Sequence, residues 1–306
     1  MLTKIRTIFL TTVFCLMASN SYAAEGQELS FDMDTGRGGE AKRTENPDEF
    51  RVCADMDNLP YSNNRQEGFE NKIAELIAKD LGKKLMYQFS YDRIGFLRNT
   101  LNANRCDVVM GTSSDNDAML TSVPYYRSGY VFVYRKDSGY DIKDWDSADL
   151  HKGKIGVVGQ TPPTRPMYDK GLMENARPYR IMRDLNLPPS FMIDDLVKGD
   201  IDIAISWGPI GGYYAKHASI PLAVVPAPEY EQTNVHGKEY WNISIGVRKK
   251  DKERMAIIND VLQRRQADID KILDDYGIPH VPVVEGDRVG KVKKQETRGD
   301  VIPKSE

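Results

Sequence analysis

Two stretches of this chain echo one another, and the echo limits the possible folds more than any other feature. Residues 199–209 read GDIDIAISWGP: a Gly-Asp turn, the apolar run Ile203-Ala204-Ile205 behind Asp202, then Gly208-Pro209. A short apolar run between turn formers is a buried strand with a loop at its carboxyl end. Residues 105–111 read RCDVVMG, with Val108, Val109 and Met110 behind Asp107 and Gly111 at the end. An amphipathic segment precedes each, around 96–101 and 191–197. The unit helix, turn, Asp, strand, Gly therefore occurs twice. Two similar α/β halves facing each other would put both Gly-ended loops across one cleft. Two unrelated buried strands are the alternative at this point.

The remaining strands and helices alternate in the same way. In the first half, 50–54 reads as a strand, 55–64 as a turn-rich loop, and 69–81 as a helix with Phe69, Ile73, Leu76, Ile77 and Leu81 on one face. A strand at 85–89, a helix at 91–101 and the strand at 106–110 follow. This β-α-β-α-β order implies parallel pairing with right-handed crossovers. In the second half, strands are expected at 154–158, 179–182 and 201–206. Helices are expected from about 167 to 174, at 190–197 and at 211–217. A strand at 222–225 leads to another at 240–247, then to amphipathic helices at 252–267 and 268–276. The strand at 130–135 is placed to leave the first half. The expected organisation is lobe 1 at 49–136 plus 230–285, and lobe 2 at 137–229.

Residues 1–23 read as a secretory signal: Lys4 and Arg6, an apolar core from Ile8 to Met17, and Ser21-Tyr22-Ala23 as the small-x-small cleavage site. The apolar run is too short to span a bilayer. Residues 24–48 read as a polar, mobile arm, and 286–306 as a charged tail. The net charge of −3 over 306 residues gives no reason to expect nucleic acid or an anionic membrane as partner. Cleavage removes Cys15 and leaves Cys53 and Cys106. In an oxidising compartment two cysteines are read as one disulfide, with two buried free thiols as the alternative. No His or further Cys lies at ligand spacing, so no metal site is expected.

The ordered set ADMDNLPYS, GFENKIAELIAKDLGKKLMY, NRCDVVMGTSS, VPYYRSGYVFV, KGKIGVVGQTPPT and VKGDIDIAISWGP resembles the family 3 extracellular solute-binding proteins of polar amino acid uptake. The resemblance covers roughly residues 50–282. It implies an α/β fold of type II: two parallel-sheet lobes joined by two crossover strands around a cleft. Asn58 to Ser62 in DMDNLPYS, Pro124-Tyr125-Tyr126 and Trp207-Gly208-Pro209 further resemble the MxaJ/XoxJ type of periplasmic component encoded with methanol dehydrogenases. That resemblance implies a partner or maturation and activation factor of a pyrroloquinoline-quinone (PQQ) dehydrogenase in methanol oxidation. It implies neither an enzyme nor a resident cofactor.

The cleft chemistry departs from amino acid uptake. In that family a Thr-x-x-Arg arrangement after the third strand clamps the ligand carboxylate, a task suited to the planar guanidinium fork. Here the stretch is GTSSDNDAMLTSVP, with Asp115 and Asp117 and no basic residue. The position that would hold the ligand ammonium in the second lobe is Trp207. The expected cleft residues are Asp57, Asn58, Tyr61, Ser113, Asp115, Thr161, Arg165 and Trp207, all on loops at strand ends. A cation or sugar-like molecule suits them better than an anion. The competing functions are a transport receptor for a small non-amino-acid solute and, further off, a cleft dehydratase using Glu67 or Asp115. The sequence lacks G-x-S-x-G, a phosphate-binding loop and H-E-x-x-H, and His151, His217, His236 and His280 are scattered.

Overall fold

A computed structural model describes residues 45–180, 187–230 and 239–284. The leader, most of the arm and the tail lie outside the described residues.

In chain order the elements are β1 (Glu49–Ala54), β2 (Asp57–Asn58), β3 (Ser62–Asn63), α1 (Phe69–Asp80), β4 (Lys84–Phe89), α2 (Phe96–Asn99), β5 (Val108–Ser113), β6 (Leu120–Thr121) and β7 (Tyr126–Arg135). There follow β8 (Ile155–Val158), α3 (Thr164–Asp169), β9 (Ala176–Tyr179), α4 (Phe191–Lys198), β10 (Ile203–Trp207), α5 (Gly208–Lys216) and β11 (Leu222–Pro226). The last three are β12 (Tyr240–Val247), α6 (Lys252–Arg264) and α7 (Gln266–Tyr276).

The echo in the sequence is an echo in topology. In the first half β1 is central, with β4 and β5 parallel on either side. In the second half β8 is central, with β9 and β10 parallel on either side. Each set is closed by an antiparallel strand, β12 on β5 and β7 on β10. Strand β7 belongs to both halves. Tyr126–Gly129 pair with β12, whereas Tyr130–Arg135 pair with β10 and β11. This hand-over falls ahead of the residue-136 limit read from the sequence.

Each half has its own core. In the first, Phe69, Ile73 and Ile77 recur every four residues along α1 and are fully buried against β1, β5, β12, α6 and α7. In the second, alternation along β7 sends Phe132 and Tyr134 to one face with Ile155, Val157, Ile203 and Ile205. Val131 and Val133 go to the other, with Leu196, Ile201 and Ala204. Both faces of this half are covered, as a parallel sheet requires.

Helix α5 ties the halves together. Gly212 lies so close to the Gly277 carbonyl and the Pro279 ring that no side chain would fit. The Tyr214 hydroxyl donates to the Leu59 carbonyl at 3.0 Å, and Lys216 Nζ to the carbonyls of Asp274 at 3.1 Å and Asp275 at 2.7 Å, at the end of α7.

Several elements differ from the sequence reading. The helix expected at 91–101 is only α2, because Gly95 adopts φ +92° and residues 90–95 form a loop. The helix expected to reach 174 stops at Asp169, and Gly171 at φ +69° separates it from a 3-10 turn at Leu172–Asn175. The strand expected at 179–182 is β9, ending at Tyr179, and residues 181–182 lie outside the described set. Helix α5 starts three residues earlier than expected, with Pro209 in its first turn, where a missing N–H costs nothing.

Cys53 of β1 and Cys106 before β5 form a disulfide, with Cα atoms 5.5 Å apart. It closes a segment of sequence separation 53 around α1, β4 and α2. Restricting the unfolded chain over a loop of that length is worth about 2–4 kcal/mol. Replacing both cysteines by Ser should lower the unfolding free energy by about that amount in a urea titration. An unchanged midpoint would show that the bond contributes nothing.

Candidate functional site

The carboxyl ends of β1, β5 and β10 meet at a cavity of about 340 Å³. This is where open α/β sheets hold ligands. Ala54 and Asp55 follow β1, Val109 to Ser113 belong to β5, and Trp207 closes the cavity from β10. The β2–β3 hairpin adds Asn58, Tyr61 and Ser62, and the loop before α2 adds Asp92 and Phe96. Its volume is at the small end for ligand sites.

Glu70, the second residue of α1, is part of the lining. It is 8% exposed, and its Oε1, closed off from solvent, has no hydrogen-bond partner among the described residues. The backbone explains its position. Asn71 Oδ1 accepts the N–H groups of Gly68 and Asn63 at the start of α1, and Glu70 N–H donates to the Tyr61 carbonyl at 3.0 Å. Gly111 makes the room: at φ +67° it turns β5, and a Cβ there would sit on Glu70 Oε1.

Burial, and after it the charge of Asp92, pushes the Glu70 carboxyl up to about 8. Burial and then Asp55 raise Asp92, although part of that residue stays open to solvent. Asp55 is fixed as an acceptor: its Oδ1 takes the Asp57 N–H and its Oδ2 the Asp92 N–H, both at 2.8 Å. Burial lifts the hydroxyls of Tyr61, Tyr125 and Tyr126 well above their ordinary range. The Tyr125 hydroxyl accepts the Gly111 N–H at 3.1 Å. Among the described residues no Lys or Arg lines the cavity.

Of the residues expected in the cleft, Asn58, Tyr61, Ser113 and Trp207 line this cavity; Asp57, Asp115, Thr161 and Arg165 do not. Asp57 is exposed on β2, and Asp115 is half-buried just past β5. Thr161 donates to the Val158 carbonyl at 2.6 Å and lies beside the Tyr130 hydroxyl. Arg165 pairs with Asp169 one turn along α3, at 2.9 Å. Glu67, an acid considered for elimination chemistry, is exposed and bonded to Arg65 and Asn63. The residues that sequence reasoning missed are Asp55, Glu70 and Asp92. Asp55 and Asp92 read as turn formers, and Glu70 as an ordinary acid in a first helical turn. Only the adjoining Gly68 and the later Gly111 hint that the backbone crowds there. Among the described residues no group of three His, Cys, Asp or Glu side chains could hold a metal ion, and no helix is long and apolar enough to cross a membrane.

Two α/β halves, a shared crossing strand and a cavity at the strand ends define a binding-protein architecture. The family model for bacterial extracellular solute-binding proteins, family 3, matches residues 50–279, and the chain belongs to that family. It is 31% identical to protein MoxJ of Methylorubrum extorquens over 92% of this chain and 96% of the relative. The crystal structure of MxaJ from Methlophaga aminisulfidivorans MPT superposes with a TM-score of 0.67 at 33% identity, covering 76% of this chain and all of that one. The periplasmic binding protein XoxJ from Methylobacterium extorquens AM1 gives 0.64 at 34% identity with the same coverage. The fold is thus the two-lobed type II class, and the likeness to MxaJ and XoxJ extends over 76% of the chain.

The raised Glu70 carboxyl makes stability depend on pH. Its folded value of about 8 lies above the ordinary 4.5, so the folded state holds the proton more tightly. The contribution is whole below about pH 4.5 and lost as pH rises through about 8. It amounts to a few kcal/mol, on the order of 1.4 kcal/mol per pH unit. In urea titrations from pH 5 to 9, Glu70→Gln should gain stability relative to wild type as pH rises. A difference that stays flat with pH would mean the carboxyl is not held protonated.

Proposed function

We propose that this chain works in the periplasm as a non-enzymatic partner, a maturation or activation factor, of a PQQ-dependent methanol dehydrogenase. The observation that carries the reading is the likeness to MoxJ, MxaJ and XoxJ over most of the chain. The cavity supports it through what it would reject. An α-amino acid brings a carboxylate, and here that group would meet Asp55 and Asp92 with no lysine or arginine among the described lining residues. Like charges at such range disfavour binding. Export through the leader at residues 1–23 is part of this reading.

A second reading has its own support. The cavity lies where open α/β sheets hold ligands, which favours a transport receptor for a small non-amino-acid solute. The two separate by experiment. The tagged chain from Ala24 onward is used to pull down partners from periplasmic extract of methanol-grown cells. Recovery of the dehydrogenase large subunit, displaced by untagged protein, is the expected result. Recovering nothing, while a solute screen raises the melting temperature with dose, would remove the partner reading and leave the receptor.

A further inference from the structure

We infer that the loop of residues 90–95 is a docking point for a protein partner, seating Ile94 in an apolar pocket rimmed by carboxylates. This contact rests on the partner reading above and lies outside the cavity. One exposed apolar side chain needs no explanation. Ile94 differs in degree and in setting. It is 95% exposed, and no other large apolar side chain among the described residues is as open to solvent. Tyr91, three residues before it in the same loop, is 41% exposed. Neither lines the cavity, although Asp92 between them does.

The loop does not fold Ile94 away, because it is pinned on both sides. Asp92 N–H donates to Asp55 Oδ2 at 2.8 Å, and Phe96 N–H to the Arg93 carbonyl at 2.8 Å. Gly95 at φ +92° sets the turn, and the buried Phe96 ring packs with Leu101 and the bonded pair Cys53 and Cys106. A loop already ordered loses little conformational freedom on binding, so more of its contact shows as affinity.

The flanking charge selects the partner's chemistry. The Arg93 guanidinium lies over the Tyr91 ring, 5.7 Å from its centroid. Arg98 reaches back to the turn, where a Cβ on Gly95 would stand 3.1 Å from its Nη2. Most described arginines pair with an acid, as Arg51, Arg165 and Arg264 do. Among the described residues neither Arg93 nor Arg98 has such a partner, and Arg98 donates to the Asn99 side chain alone, at 3.4 Å. Both are exposed. A chain of net charge −3 thus carries two unpaired arginines beside its most exposed apolar side chain. The guanidinium fork suits carboxylates, and Tyr and Arg are enriched where protein interfaces hold most of their energy. Two arginines are too few for a nucleic acid or an anionic bilayer, which leaves a protein.

The test measures binding of the chain from Ala24, disulfide intact, to purified quinoprotein methanol dehydrogenase of the same cells, by biolayer interferometry at low and high salt. Ile94→Asp should weaken binding about tenfold or more, whereas Ile94→Leu, which keeps an apolar side chain, should stay close to wild type. Arg93→Glu with Arg98→Glu should weaken it several-fold and remove most of its salt dependence. Tyr168→Asp, an exposed aromatic on α3 of the other half, should leave it unchanged. Melting temperatures of the Ile94 variants should match wild type, because the side chain touches little of the fold; this separates lost docking from lost folding. Wild type and Ile94→Asp binding equally well would overturn the inference and leave the partner reading standing. Wild type failing to bind the dehydrogenase would remove the partner reading and this contact with it.

Discussion

Everything in this molecule hangs on one strand serving two sheets. Ten residues of β7 extend about 33 Å, enough for four to pair with one half and six with the other. The change of partner at Gly129 and Tyr130 needs a close approach, and small groups supply it. Gly208 packs on the Gly129 carbonyl and the Ser128 hydroxyl, where a Cβ would collide. Tyr240 covers Gly129 from the other side. Because the halves meet along this strand, the ends of β1, β5 and β10 must face one another. The cavity follows from that meeting, and Trp207 stands at its edge because it is the last residue of β10, opposite Tyr130.

A buried carboxyl beside two other acids works against folding at neutral pH. The chain offsets this locally. Phe69, Tyr61 and Tyr126 form an aromatic cluster whose rings lie 5.5 to 6.0 Å apart, and Phe69 is fully buried one residue before Glu70. Pairs of this kind contribute about 0.5–1.5 kcal/mol each beyond the area they cover. Below Cys106 a second device holds the neighbouring loop. Arg248 is buried, donates to the carbonyls of Leu101 and Cys106, and pairs with Asp251 at 2.7 Å. An ionised group in such a place destabilises unless its donors are used; here Nη1 and Nη2 are, while Nε has no hydrogen-bond partner among the described residues. The first half is thus stiffened around the Glu70 carboxyl.

Periodicity made much of the fold legible. The echo of residues 105–111 in 199–209 became two copies of one strand order, and Cys53 on β1 and Cys106 just before β5 became a disulfide. Trp207 was visible as an aromatic at the end of a buried strand. The limits of legibility were set by backbone geometry that no residue pattern announces. A helix at 91–101 was the reasonable reading of Phe96, Leu97 and Leu101, but Gly95 at positive φ released the preceding loop, which brings Asp92 to the cavity. Arg165 looked like a cleft residue because a loop at a strand end precedes it; one turn of α3 gives it Asp169 instead. Glu70 was hidden for a different reason. Its neighbours in sequence describe an amphipathic helix correctly, and its burial comes from β5 and the β2–β3 hairpin, which lie elsewhere in the chain.

The contacts of α5 bear on how the two halves use their cavity. A receptor that reports its ligand by closing must keep its open and closed states within reach of the ligand's binding energy. Here the Tyr214 bond to Leu59, the Lys216 bonds to the end of α7 and the Tyr213–Tyr276 stack join the halves outside the cavity. Hydrogen bonds contribute about 0.5–1.5 kcal/mol each and an aromatic pair a similar amount. Together they hold one arrangement by a few kcal/mol before any ligand arrives. A surface of constant shape is what a protein partner recognises most readily, because little ordering is left for the complex to supply.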